Sequence, residues 1–154
     1  MLTPQDMARI NAAAYPNSTT GFEAADFEKL LKMPNIVAFT RPEGYLIFRV
    51  AGLEADIHSF TIAPEYQNKG VGTDMLRDAL EQLHDRGVKE VFLEVDTDNL
   101  PAQKLYHKAG FYVVGDRPEY YRNPDGTVSH AYTMAYYYGK EDLIGAIDRY
   151  RLPL

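Results

Sequence analysis

The chain contains no cysteine. That excludes a disulfide framework, a thiolate metal site and any mechanism through an acyl-cysteine. It fits a reducing compartment, and a cytoplasmic location is the expectation. Tryptophan is absent too, and no apolar run is long enough to cross a bilayer. The first residues, Met1 to Asp6, carry no basic segment followed by an apolar one, so neither a secretory signal nor a membrane partner is expected. Positive charge is in short supply: 16 Lys and Arg stand against 22 Asp and Glu, a net charge of -6. A nucleic-acid partner wants a basic face, so none is expected, whereas a cationic substrate would be drawn in. The four histidines show no ligand spacing, and no metal is expected.

What is present is ordinary for a globular domain. The chain has 154 residues, 45% hydrophobic and 25% charged, enough to bury one core. No linker, repeat or low-complexity tract interrupts it, so a single domain over 1–154 is expected, with 139–154 as a helical tail. That tail either docks on the domain or mediates dimer contacts, and monomer and homodimer both stay open. Nine of the twelve tyrosines lie from Tyr106 onward. Tyrosine, with its area and polar tip, suits a groove or an interface as well as strand packing.

Periodicity and turn chemistry divide the chain. Thr3-Pro4 pairs a capping hydroxyl with proline at a first helical position, and Met7, Ile10, Ala13 and Ala14 follow at helical spacing. Pro16 to Gly21 reads as a loop, and Glu23 to Lys32 as a second helix with Phe27, Leu30 and Leu31 on one face. Three strands are predicted at Ile36–Thr40, Tyr45–Val50 and Ala55–Ile62, as an antiparallel meander. The second is almost wholly apolar, as for a strand covered on both faces.

A helix is predicted over Val71–Arg86, striped by Met75, Leu76, Ala79, Leu80 and Leu83 and closed by Gly87. Val88–Asp96 is a strand, parallel to Ala55–Ile62 because a helical crossover joins them. A short helix from Asn99-Leu100-Pro101 to Gly110, strands at Phe111–Gly115 and His130–Tyr138, and a tail helix at Lys140–Arg149 complete the order. The class is α/β (α+β): one mixed, mostly antiparallel sheet with helices on both faces.

Three places carry chemistry. Phe60-Thr61-Ile62 leads into Gln67-Asn68-Lys69-Gly70-Val71-Gly72, a strand end, a polar loop and a glycine turn opening a helix. Glycines let backbone approach a ligand, and a helix amino terminus offers unpaired N–H groups and a positive dipole end to phosphate. Glu94 lies within Val91-Phe92-Leu93-Glu94-Val95, where burial would make its carboxylate a better base; it equally suits a sheet-face glutamate that reaches water or pairs with an arginine. Tyr106 and Asn99, taken alone, fit a packed helix flank and a helix start. His58 is either an extra base or a strand histidine with a satisfied partner.

The glycine pattern, then Leu93-Glu94-Val95, Asn99, Leu105-Tyr106, Gly110-Phe111 and Tyr120-Tyr121 in that order, resembles the GCN5-related N-acetyltransferases (GNAT) of the RimI type, which acetylate a ribosomal-protein alanine. The resemblance covers about Ala55 to Met134. It implies the GNAT fold, with its central parallel strand pair splayed, and direct acetyl transfer from acetyl-CoA to an amine, with a protein or peptide amino terminus, possibly of a ribosomal protein, as acceptor.

It further implies Glu94 as general base and Tyr106 as general acid. Asn99 would contact the pantetheine arm. Asn68, Lys69, Gly70, Val71, Gly72 and Thr73 would form the pyrophosphate cradle, and Phe60, Thr61 and Ile62 a strand edge that pairs with pantetheine. Tyr120 and Tyr121 would stand in a loop over the peptide groove. A GNAT acting on a small amine or a lysine, and a CoA-binding module without catalysis, are the alternatives. The chain departs from the pattern at Thr73-Asp74, Ser129-His130-Ala131 and Tyr15-Pro16-Asn17-Ser18. Asp74 would either repel the pyrophosphate or complement the helix dipole.

Overall fold

The computed structural model describes residues 1–16, 22–122 and 125–139, with side chains for all of these except 118–122 and 129. Helix α1 (Pro4–Ala14) starts as its sequence dictates. The Thr3 hydroxyl accepts from the Asp6 N–H at 3.1 Å, and the Asp6 carboxylate accepts from the Thr3 N–H at 2.9 Å. Helix α2 (Ala24–Leu31) follows, then strands β1 (Ile36–Arg41), β2 (Gly44–Ala51) and β3 (Glu54–Ile62). A 3-10 turn (Pro64–Tyr66) leads into α3 (Val71–Asp85); β4 (Glu90–Asp96), α4 (Leu100–Ala109), β5 (Tyr112–Arg122) and β6 (Val128–Tyr137) complete the elements of the described residues.

The six strands of the described residues form one sheet in the order β1-β2-β3-β4-β6-β5, antiparallel throughout except between β3 and β4. Strand β2 is buried on both faces, as its apolar run predicts. Leu46 and Phe48 join the α3 stripe of Met75, Leu76, Ala79, Leu80 and Leu83 on one side. Tyr45 and Ile47 meet Met7, Ile10 and Phe27 of α1 and α2 on the other. Each such fully buried aliphatic side chain contributes about 1.5–3 kcal/mol of transfer free energy, so the two layers hold β2 and β3 rigidly in place.

The parallel ladder is short. Only Glu54, Ala55 and Asp56 pair with Glu90, Val91 and Phe92. Beyond them β3 continues to Ile62 beside β2 alone, while β4 continues to Asp96 beside β6. The β2 register supplies the cause. Phe48 pairs with Ile57 but Ile47 pairs with Ser59, leaving His58 as an extra residue. A bulge bends its strand and increases its twist, and β3 turns away from β4 where that bulge sits.

One expectation needs correction. The strand predicted over Phe111–Gly115 runs to Arg122, crossing irregular register at Gly115 and between Arg117 and Tyr121. Tyr120 and Tyr121 thus stand on the end of β5 rather than on a loop. Their side chains, the Asn17–Ser18 part of the first loop and the predicted tail helix lie outside the described residues.

Candidate active site

The divergence of β3 from β4 opens a wedge. From Ile57 to Ile62 the β3 backbone has no ladder partner on the β4 side. Phe60 and Ile62 turn toward the α3/α4 layer. Thr61 turns the opposite way and is buried; its hydroxyl donates to the Tyr45 phenol at 2.9 Å, which donates to the Asn11 side-chain oxygen at 3.3 Å. The Thr61 side chain is therefore committed to the core, and only its backbone faces the wedge.

The glycine turn closes one end of this opening. Gln67 donates its side-chain N–H to the Ile62 carbonyl at 2.9 Å, pinning the loop to the end of β3. Asn68 and Gly70 take left-handed backbone, with φ of 60° and 83°. Gly70 is the N-cap residue of α3, and no side chain caps that helix. The first-turn N–H groups at Val71, Gly72 and Thr73 accordingly keep their donor capacity for an anion. A Cβ at Gly72 would come within 2.9 Å of Leu105 and 3.6 Å of Phe60, so glycine lets α3 begin against α4 and β3. Lys69 is exposed beside the turn.

Asp74 does not face the turn as a bare charge. Arg41, at the end of β1, places one guanidinium nitrogen 2.9 Å from the Asp74 carboxylate and pairs the other with Asp78.

Glu94 stands on β4 beyond the last parallel pair. Its neighbours Leu93 and Val95 are buried against α3, so strand alternation sends its side chain to the opposite face. The Thr133 hydroxyl donates to one carboxylate oxygen at 2.7 Å, and Arg117 donates to the other at 3.4 Å. The carboxylate is thus half-buried and paired rather than stranded in an apolar strand.

Asp56 shares that face. Although it reaches solvent, desolvation and then the Glu54 charge hold its carboxyl above its ordinary value; Arg49 opposes this and Glu94 adds to it. Tyr106 lies on α4 in the other layer, its ring 5.7 Å from Phe111 and 6.4 Å from Phe60. Asn99 caps α4, accepting from the Ala102 N–H at 3.2 Å.

The structure therefore gathers Phe60, Ile62, Gly72 and Tyr106 on one side of the wedge. It sets Glu94 on the other, with the opening between the strands as the passage joining them. Four contributors escaped the sequence. Gln67 stands in the glycine pattern with no sequence signal for its bond to Ile62; Arg41 reads as a turn residue; Thr133 and Arg117 become partners of Glu94 only through strand register. Among the described residues, no group of three His, Cys, Asp or Glu could hold a metal ion, and no helix is long and apolar enough to cross a membrane.

The model of a family described as "Acetyltransferase (GNAT) family" matches residues 14–111, a span that includes the glycine turn, Glu94 and Tyr106. The chain is 34% identical over 109 residues to the ribosomal protein bS18-alanine N-acetyltransferase of Haemophilus ducreyi, covering 71% of this chain and 71% of that one. It is 30% identical over 115 residues to the protein of the same name from Escherichia coli, covering 75% of this chain and 77% of that one. The crystal structure of the ribosomal-protein-S18-alanine N-acetyltransferase from Escherichia coli is similar with a TM-score of 0.73 and 26% identity, over 90% of this chain and 94% of that one.

Proposed function

The chain belongs to the acetyltransferase (GNAT) family, and from that premise we propose that it moves the acetyl group of acetyl-CoA directly onto a primary amine, the α-amine at a protein's amino terminus. One observation carries this. The unpaired edge of β3 and the uncapped start of α3 meet at one wedge, locked together by Gln67 and by a close approach at Gly72, where an added Cβ would touch Phe60 and Ile62. An extended arm can add to that edge as a strand does, and its diphosphate then falls on the helix terminus.

In this reading Phe60, Thr61 and Ile62 offer backbone to pantetheine, with Asn99 near the arm. Asn68, Lys69, Gly70, Val71, Gly72 and Thr73 cradle the diphosphate. Glu94 takes a proton from the incoming ammonium, directly or through one water. The free amine attacks the thioester carbonyl, and a backbone N–H beside Ile62 holds the oxygen as it gains charge. The C–S bond breaks, Tyr106 gives its proton to the departing sulfur, and the second proton on the nitrogen restores the phenol. Acetyl-amine and CoA thiol leave, and the proton on Glu94 passes to water.

Magnitudes favour an amino terminus. An α-amine has a reference pKa near 8 and a lysine near 10.4, so deprotonating lysine costs about 3 kcal/mol more. Thiol and phenol reference values of about 8.5 and 10 make the transfer from Tyr106 to the sulfur uphill by about 2 kcal/mol, so that step requires a site that disfavours a bare thiolate. The relatives named as ribosomal-protein alanine acetyltransferases support an alanine amino terminus on a ribosomal protein as the acceptor, and a cytoplasmic setting is part of the proposal.

The test is mass spectrometry after incubation with acetyl-CoA. One sample holds a peptide beginning with alanine, another the same peptide with a blocked amino terminus and one lysine, a third a set of polyamines and aminoglycosides. Acetylation of the first supports the proposal. Acetylation of the second or third alone replaces the acceptor. Binding of acetyl-CoA with no transfer to any of them leaves a CoA-binding module.

A further inference from the structure

A row of rings walls the α3/α4 side of the wedge. Phe60 on β3 and Tyr106 on α4 lie with centroids 6.4 Å apart and planes tilted by 53°. Phe111 backs Tyr106 at 5.7 Å and is fully buried; Tyr136 backs Phe111 in turn at 5.5 Å. Phe60 has no retreat at its other end. Its ring tip lies 3.6 Å from where a Cβ on Gly72 would stand, and a Leu105 methyl lies 2.9 Å from the same point. Phe60 thus fills the gap between the start of α3 and the middle of α4. Side chains packed in this way do not take up an extra methylene without strain.

The strands set the other limits of this space. Its apex is closed where the β3/β4 ladder ends at Asp56 and Phe92. Just beyond, Ile57 of β3 and Leu93 of β4 both turn into the α3 layer. Glu94 stands on the opposite face of the sheet.

We propose that Phe60 limits the donor's acyl group to acetyl, with Tyr106 as the opposing wall. The inference rests on the reading that this wedge holds the thioester. In that reading the sulfur lies within reach of Tyr106, and the amine arrives from the Glu94 side. The acyl carbon is one bond from the sulfur, so its substituent has only the apex and the α3/α4 side to occupy. A methyl group is small enough to sit beside the two rings. Each further methylene must displace Phe60, held against α3 and α4, or Tyr106, held against Phe111. A charged chain end fares worse still. The carboxylate of a succinyl group would lose its hydration among Ile57, Phe60 and Leu93, which offer it no hydrogen bond from their side chains.

The test uses the whole chain and an alanine-initiated peptide, with kcat/KM measured for acetyl-, propionyl-, butyryl- and succinyl-CoA. One methylene is worth about 10–200-fold in an apolar pocket, so acetyl-CoA should be preferred over propionyl-CoA by at least about tenfold. Butyryl- and succinyl-CoA should give no measurable transfer. Phe60→Leu should lower the acetyl-to-propionyl ratio severalfold. Phe60→Ala should bring it to within about threefold and admit butyryl-CoA, because truncation leaves a cavity that the longer chain fills. Succinyl-CoA should stay excluded in both variants, since widening the space supplies no partner for its charge. Phe39→Ala removes a ring of the same size from the same core, at β1, where it packs on Phe48 at 5.7 Å. That variant should leave the donor ratio unchanged. The ratio compares donors within one variant, so a general loss of folded protein does not move it.

Equal use of acetyl- and propionyl-CoA by the unaltered chain would overturn the proposal. So would a ratio that stays fixed in both Phe60 variants, or one that relaxes as far in Phe39→Ala. In each of these cases acetyl transfer to the peptide still occurs, and the inference fails alone. Transfer from none of the donors to the peptide would remove the assigned reaction, and the inference with it.

Discussion

Arg41 and Asp74 are joined by a 2.9 Å ion pair that links the end of β1 to the first turn of α3. The pair gives Asp74 a structural task. Without Arg41 a free carboxylate would stand in the same turn as the N–H groups proposed to take a diphosphate. Exposed pairs contribute only about 0–1 kcal/mol to stability, so the expected effect lies in binding. Arg41→Met should weaken acetyl-CoA binding severalfold, most at low salt. Asp74→Asn in the same chain should restore it. Isothermal titration of the two variants decides the point.

Gly70 and Gly87 both hold left-handed backbone, at φ 83° and 91°, with open space where a Cβ would go. Alanine at either position should therefore cost about 1 kcal/mol of stability from backbone strain alone. Only Gly70 begins α3. Gly70→Ala should lower acetyl-CoA affinity at least threefold, and Gly87→Ala should leave it unchanged. Urea unfolding and calorimetry on the pair separate strain from binding.

Glu94 and Tyr106 should fail differently when altered. Removing a general base lowers turnover about 10²–10⁴-fold. Glu94→Gln should therefore lose at least 10²-fold in kcat with acetyl-CoA affinity intact. Tyr106→Phe should lose less, since the thiolate is the weaker base of the pair at reference values. Steady-state kinetics with the alanine-initiated peptide reads both; equal turnover in either variant would remove that residue from the scheme.

His58, the extra residue of the β3 bulge, supplies a pH dependence. Its ring reaches solvent, yet desolvation against the sheet and then the Arg49 charge hold its imidazole below the ordinary value. The unfolded chain, with a reference pKa near 6.5, binds more protons than the folded one in the interval between the two values. Stability should thus rise with pH through that interval and fall as pH drops below about 6.5. His58→Gln should flatten the slope, as urea unfolding from pH 5 to 7.5 would record.

Local chemistry along the chain already determined most of the architecture. Thr3, Pro4 and Asp6 start α1 through contacts within one turn. The α3 stripe and the Gly70 turn are set by neighbours a few residues apart. The apolar run of β2 announces burial on both faces because alternation is lost within the strand itself. Family membership was legible on the same ground, since its motifs are short and ordered. Pairing between distant strands was not legible. The bulge at His58, the continuation of β5 past Gly115, and the meeting of Glu94 with Thr133 and Arg117 each depend on which residues of remote segments fall opposite one another. Register is the sum of many weak cross-strand contacts and two packed faces, and no single window of sequence contains that sum. The candidate residues were therefore written in the chain, while their partners, and the wedge that separates them, were decided only by the assembled sheet.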